Sequence, residues 1–221
     1  MAKEKVMAFR IFSSYDEDKD YTKLDKFHID AAIFFNGKTF HIFCDLIGQG
    51  IKHRGYKTVI RSRKELDDWL KGLPPDTTLM GYNSTKLDYQ LLAKAFDVEF
   101  STIDLMDAIG LEAAEALAIE KRRYPLREVA RWNSVKQTVL PHFSWLFSSM
   151  ELFSEWFNER FRGVAKSLCA ECEMIARLGS RIRRKGRVRV VDPMTEKGVT
   201  IEMDFHKHVL QRSFFSPKEE E

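Results

Sequence analysis

Carboxylates that follow short apolar runs are the residues of this sequence best suited to chemistry. Asp88 ends the stretch GYNSTKLD, which begins at Gly81 directly after an apolar run. Asp104 stands at the end of a second apolar run. Several carboxylates that converge can hold two Mg²⁺ or Mn²⁺ ions, and such a pair of ions cleaves phosphodiesters. Metal-dependent cleavage by this chain would therefore require further carboxylates near Asp88 and Asp104.

The stretch from Gly81 through Asn83 to Asp88 resembles the second motif of the ribonuclease-H-like DEDD exonucleases, a family that includes the proofreading exonucleases of DNA polymerases. That motif reads roughly G-[HY]-N-x-x-x-[FL]-D. The resemblance implies that Asp88 is a metal ligand and that Asp104 is a supporting or structural residue. An alternative is that these residues serve folding alone, because Asn caps helices and an early-helix Asp favours the positive end of the helix dipole.

The resemblance places the other metal ligands of the family on residues that do not bind Mg²⁺. The first strand of the family ends in Asp-x-Glu, and the comparable positions here are Arg10 and Phe12. The third motif has a Tyr or His and an Asp on a late helix, and these align with Leu168 and Cys172. Only Asp88 remains of the family's metal carboxylates. We therefore expect no metal cofactor, and Mg²⁺ or Mn²⁺ only if the chain is active.

Other acidic residues offer two ways to replace the missing ligands. The cluster 16–18 follows the first strand, although a solvated acidic loop is the simpler interpretation. Glu171 and Glu173 flank Cys172, but each lies about 100° to one side of it on a helix. We therefore expect neither glutamate to enter the site. An active 3'-5' exonuclease would use Asp88, Asp104 and the cluster 16–18.

The distribution of charge says more than the net charge of +3. The segment 177–189 contains seven Lys and Arg residues and no acidic residue. Such a cluster predicts binding to the phosphates of DNA or RNA, and the alternative is a solvated helix surface. The predicted nucleic-acid-binding residues are Arg181, Arg183, Arg184, Lys185, Arg187 and Arg189.

Cysteines and aromatic residues suggest two further sites. Cys169-x-x-Cys172 and His206-x-His208 carry zinc-ligand types, but a second CxxC pair is missing and buried thiols are the simpler interpretation. Three cysteines do not indicate a disulfide framework. The aromatic segment 143–161 has three interpretations: a helical core, an interface with a protein partner or a second copy, and a platform for stacked bases.

Local patterns predict a mixed α/β fold. Asn36-Gly37 between two apolar runs predicts a hairpin, and Ser62 with Glu65 predicts a capping box. A long helix is expected over 164–184, with Gly186 as its end. The family resemblance implies a ribonuclease-H-like mixed sheet flanked by helices, built from an antiparallel meander followed by strand–helix units. The runs 188–191 and 199–205 predict a C-terminal β-hairpin.

These elements divide the chain into an exonuclease-like domain at 1–185, a hairpin extension at 186–215 and a disordered tail at 216–221. Because the sequence has no secretory signal and no apolar run near the roughly 20 residues that span a bilayer, we expect an intracellular protein of the cytoplasm or nucleoid without a membrane partner. The leading hypothesis is a degenerate exonuclease-like domain that binds nucleic acid or a nucleoprotein partner without cleavage. The alternatives are an active exonuclease and a protein–protein scaffold subunit.

Overall fold

The structure, a computed structural model, describes residues 5–15, 27–46, 51–85, 87–95, 100–135, 154–155 and 158–212. Within these residues the fold is α/β, with a mixed seven-stranded sheet flanked by helices and a separate C-terminal antiparallel hairpin. The predicted α/β class and C-terminal hairpin are confirmed. Among the described residues, no helix combines the length and the apolar character needed to cross a membrane.

The strands are β1 (Lys5–Tyr15), β2 (Phe27–Phe35), β3 (Thr39–Phe43), β4 (Lys57–Arg61), β5 (Thr77–Gly81), β6 (Phe100–Asp104), β7 (Arg187–Val191), β8 (Gly198–Glu202) and β9 (Leu210–Arg212). The helices are α1 (Leu66–Lys71), α2 (Asp88–Ala95), α3 (Leu105–Leu117), α4 (Leu126–Trp132) and α5 (Phe161–Lys185). The sheet order is β4-β3-β2-β1-β5-β6-β9, and β7 pairs with β8.

The sheet begins as the predicted antiparallel meander β1-β2-β3. The hairpin between β2 and β3 turns at Gly37, where φ is 89°, and the Asn36 side chain accepts hydrogen bonds from the two amides that follow Gly37. β5 and β6 then extend the sheet parallel to β1. Two outer pairings were not predicted: β4 runs parallel to β3, and β9 runs antiparallel to β6.

Alternation along β1 divides the core into two sides. Met7, Phe9 and Ile11 pack in the cluster that includes residues of α1 and α2. Ala8 and Phe12 pack in the opposite cluster, which includes most of the buried face of α5. Because successive strand residues point to opposite faces, Arg10 belongs to the side that faces α5. A cation is thereby placed in an otherwise apolar row.

Helix α5 covers this face of the sheet. The helix ends at Gly186, whose φ is 62° and whose amide bonds to the carbonyl of Ile182 at 2.8 Å, as the sequence predicts. Leu168 and Cys172 lie in the core. The hairpin shares this core through Val188 and other apolar residues of β7 and β8. The predicted capping box at Ser62 is also confirmed, on a 3-10 turn that leads into α1.

Several predictions concern residues outside the described part of the chain. They are the acidic cluster 16–18, the tail 216–221 and the aromatic residues 143–153, 156 and 157. Phe161 of the aromatic segment lies at the first position of α5 and packs against the core on that side of the sheet.

Glu173 is a buried acid that attaches a surface turn to α5. Its side chain is 1% exposed and lies 2.8 Å from the Nε2 atom of His53 and within ion-pair distance of Arg177. The hydroxyl of Tyr56 donates a third, longer bond at 3.4 Å. Since buried charges are tolerated only when paired, this network holds the turn 53–56 against the helix.

We predict that Glu173→Ala lowers the free energy of unfolding by about 3 kcal/mol, because it leaves buried His53 and half-buried Arg177 without their acid. Urea unfolding checks this value. Glu115→Ala is the control, since its side chain is 77% exposed, and it should change the free energy by less than about 0.5 kcal/mol. Equal effects of the two substitutions would contradict a structural role for the Glu173 network.

Candidate functional site

Arg10 lies at the centre of a buried charge cluster between β1, α2 and α5. Its Nε atom is 2.7 Å from Oε2 of Glu171, and one terminal nitrogen is 3.2 Å from Oδ2 of Asp88. That same nitrogen donates to the carbonyl of Tyr82 at 3.3 Å. The guanidinium therefore bridges two carboxylates that come from elements far apart in the chain.

Burial sets the electrostatics of this cluster. The side chains of Arg10, Asp88 and Glu171 are 21%, 9% and 12% exposed. Burial raises the pKa of Asp88 to about 6, against the opposing effects of Arg10 and of the Ser84 hydroxyl. Burial also opposes the charge on Arg10, but Glu171 and Asp88 outweigh it and the pKa of the guanidinium is raised. Arg10 therefore remains a cation at every ordinary pH.

The turn after β5 explains the Gly and Asn of the motif. A Cβ atom on Gly81 would lie 2.2 Å from Oγ of Ser84, so only glycine allows this close approach. The Ser84 hydroxyl in turn donates to Asp88 at 3.1 Å. Asn83 has a φ of 59° and stands five residues before α2 begins. The interpretation of Asn83 as a helix cap is therefore wrong, since its place is a left-handed turn.

Asp104 joins that turn to the start of α3. Within the described residues it accepts six hydrogen bonds, which come from the amides of Asn83, Ser84, Thr85, Met106 and Asp107 and from the Thr85 hydroxyl. Both of its oxygens are engaged by these donors, and its residue is 8% exposed. Asp104 therefore uses its two oxygens mainly to hold the backbone of this turn and of the helix start.

The residues of this cluster do not fit Mg²⁺ or Mn²⁺. The guanidinium of Arg10 stands between the two carboxylates that a metal ion would share, and Asp104 already accepts backbone bonds. The other aligned positions, Phe12, Leu168 and Cys172, are buried, and burial raises the pKa of the Cys172 thiol. In the described ranges, no group of three or more His, Cys, Asp or Glu residues is placed to hold a metal.

The cysteine and histidine pairs that could have bound zinc are not brought together either. Cys169 and Cys172 are buried, free thiols of α5. His206 and His208 lie on a 3-10 turn, and the ring of His208 is bonded to Glu112 of α3 at 2.5 Å. His208 thereby attaches the C-terminal segment to the surface of α3.

The predicted nucleic-acid-binding residues separate into groups. The pKa of the exposed Lys185 is lowered by the positive charge of Arg181 first, and then by slight desolvation and by the charges of Arg187 and Arg184. These four cations therefore form one positively charged patch. Arg183 lies on the neighbouring side of α5, beside Gly179 and Ser180. Arg189 is apart from them, since its guanidinium lies 5.1 Å from the ring centre of Trp132.

Glu171 is the site residue that the sequence interpretation misplaced. We expected it to point away from the site, but it contacts Arg10 directly, because α5 packs with Cys172 against β2 and turns Glu171 towards β1. A signal existed in the sequence: Arg10 is a single charge within an apolar run, and Glu171 and Glu173 interrupt the apolar stretch from Leu168 to Ala176. Charged residues are rarely buried unless they are paired, so each of them indicated a partner.

Comparison with known proteins adds no assignment, since no family model and no curated protein matches this chain. The site is therefore defined by its own geometry, a cation held between two buried carboxylates beside a glycine-dependent turn. Membership of the DEDD exonucleases remains a prediction based on the stretch from Gly81 to Asp88.

The raised pKa of Asp88 predicts a specific pH dependence of stability. Its folded pKa of about 6 exceeds the ordinary value of 3.8, so the folded state keeps a proton that the unfolded state has already lost. The resulting stability is present below about pH 4 and is lost as the pH rises through 6. Relative to Asp88→Asn, the wild type should lose about 3 kcal/mol of unfolding free energy between about pH 4 and pH 7.

Urea unfolding at several pH values measures this difference. Asp45→Asn is the control, because hydrogen bonds from Arg63 and Ser62 lower the pKa of exposed Asp45 to about 2. Its contribution is lost only in acid, and the difference from wild type should stay flat over the same range. A flat difference for Asp88→Asn as well would mean that Arg10 keeps Asp88 ionised throughout.

A second prediction concerns Asp104. Asp104→Ala should lower the free energy of unfolding by about 3 kcal/mol, because it removes a helix cap and leaves several buried amides without an acceptor. Asp104→Asn keeps one acceptor oxygen and should lose less. The control is Asp192→Ala, which removes a carboxylate that accepts hydrogen bonds within an exposed turn and should cost about 1 kcal/mol or less. Equal losses for the two alanine variants in urea unfolding would contradict the anchoring role.

Proposed function

We propose that this chain is a degenerate exonuclease-like domain that binds nucleic acid without cleaving it. One observation carries the loss of cleavage: the guanidinium of Arg10 lies between Asp88 and Glu171, where a catalytic ion would be bound. Phosphodiester cleavage by metal ions requires carboxylates that are free to coordinate them. In this domain an arginine side chain, and not a bound metal ion, supplies the positive charge between the two carboxylates.

The architecture supports descent from a ribonuclease-H-like exonuclease. The antiparallel meander β1-β2-β3 is followed by strand–helix units whose strands run parallel to β1, which is the order that the resemblance implies. The motif residues Gly81, Asn83 and Asp88 fall in the turn and helix start after β5. Arg10 comes from the first strand, where the family carries its first ligand.

The basic patch supports nucleic acid as the partner. Arg181, Arg184, Lys185 and Arg187 crowd together closely enough to lower the pKa of Lys185. A cluster of like charges attracts polyanions and releases their counterions on binding. We therefore expect affinity for DNA or RNA that falls steeply as the salt concentration rises.

The test pairs a calorimetric Mn²⁺ titration with a nuclease assay. Wild-type protein should neither bind Mn²⁺ saturably nor shorten a 5'-labelled oligonucleotide. Arg10→Asp should bind Mn²⁺ saturably, because it removes the cation and adds a third carboxylate. Arg10→Gln is the control, since it removes the charge without adding a ligand. The double variant Arg10→Asp, Asp88→Asn should lose the binding again.

Two results would contradict the proposal. Mn²⁺-dependent shortening of the oligonucleotide by wild type, abolished by Asp88→Asn, would identify an active exonuclease. Failure of the wild type to bind single-stranded or duplex DNA or RNA at low salt would remove the nucleic-acid function and favour a protein scaffold. Thermal unfolding of each variant identifies any substitution that prevents folding.

A further inference from the structure

A groove runs beside α5, at the end of the sheet where β1 and β5 begin. It consists of two depressions of about 620 and 350 Å³, which share Phe35, Gly37, Ala176 and Ser180 as lining residues. We call the two together the α5 groove. The Arg10 cluster involves the opposite end of β5, where the turn leads into α2. The groove is therefore separate from the position at which the family would bind its metals.

The charges that line the α5 groove all have one sign. Among the described lining residues there is no Asp or Glu, while the lining Lys and Arg residues are Lys5, Lys38, Arg177, Arg181, Arg183 and Arg184. Arg177 is already compensated by Glu173. Within the described part of the chain, Lys5, Lys38, Arg181 and Arg184 make no ion pair with an acidic side chain. The groove is thus complementary to a chain of negative charges.

Aromatic side chains form part of the groove walls. The larger depression reaches around the end of the sheet to the α1 side, where Trp69 and His41 lie with their rings 5.0 Å apart, and Tyr56 lines the smaller depression beside α5. All three are partly exposed. Burial lowers the pKa of His41 most, and the positive charges of Arg61 and Lys57 lower it further. The ring of His41 is therefore neutral at neutral pH. Neutral aromatic faces beside cations are the combination that binds unpaired bases and their phosphates.

We propose that the α5 groove binds a single strand of nucleic acid, with Lys38, Arg181 and Arg184 on the phosphates and Trp69 and His41 beside the bases. This inference rests on the proposed nucleic-acid binding and adds the path of the strand and the single-stranded preference. A duplex hides its bases, and only the cations of the groove would reach it. The larger depression therefore favours unpaired nucleotides.

The test compares two double variants with the same change of charge by fluorescence anisotropy of a labelled 12-nucleotide oligothymidylate. Arg181→Ala with Arg184→Ala should weaken binding about tenfold and reduce the salt slope of log affinity by about 1.4, because two phosphate contacts are lost. Lys64→Ala with Lys197→Ala is the matched control, since both residues are exposed cations outside the basic patch and outside the groove lining. We expect it to weaken binding less than about threefold.

Three further ligands distinguish binding of single strands in the groove from other kinds of binding. Oligouridylate of the same length tests RNA, and a 12-base-pair duplex should bind about tenfold more weakly than the single strand because no base reaches the aromatic walls. Equal losses for the two double variants, or equal binding of duplex and single strand, would overturn the groove while leaving nucleic-acid binding in place. A decaglutamate peptide that competes as well as the oligonucleotide would also overturn it, in favour of an acidic protein segment. No binding of any oligonucleotide by wild type would overturn the proposed function itself.

Discussion

The buried charge of Arg10 is the constraint that organises the centre of this protein. A guanidinium on the inner face of a strand is tolerated only when anions meet it, and they come from α2 and α5. Both anions reach the guanidinium because α5 and α2 pack close to β1. A carboxylate at position 10 would need a metal ion to neutralise the cluster, whereas the arginine neutralises it without one.

Local patterns were sufficient for the β2–β3 hairpin, the capping box at Ser62 and the end of α5 at Gly186, because each depends on residues a few positions apart. The pairings of β4 and β9 were not predictable in this way, since they join distant segments by backbone bonds. The contact between Arg10 and Glu171 spans 161 residues. A helical wheel gives the angle between neighbouring side chains, but only the packing of the helix decides which one meets the strand.

The order of basic residues in the sequence does not give their arrangement on the folded surface. The sequence places six predicted binding residues in one basic segment, but the folded chain sends Arg183 to the larger depression, Arg189 onto Trp132 and the other four into a patch. Lys5 and Lys38 enter the same groove from the opposite end of the chain. A basic surface is therefore assembled from distant segments, and its shape rather than its composition distinguishes one polyanion from another.

The hydrogen bonds that converge on Asp104 also have a consequence for motion. Because one carboxylate holds both the turn 83–85 and the first amides of α3, opening the turn would uncap the helix at the same time. The two elements therefore fluctuate as one cooperative unit. The position of Asp88 after the turn 83–85 is thus maintained by Asp104, an acid whose oxygens serve to hold the chain in place.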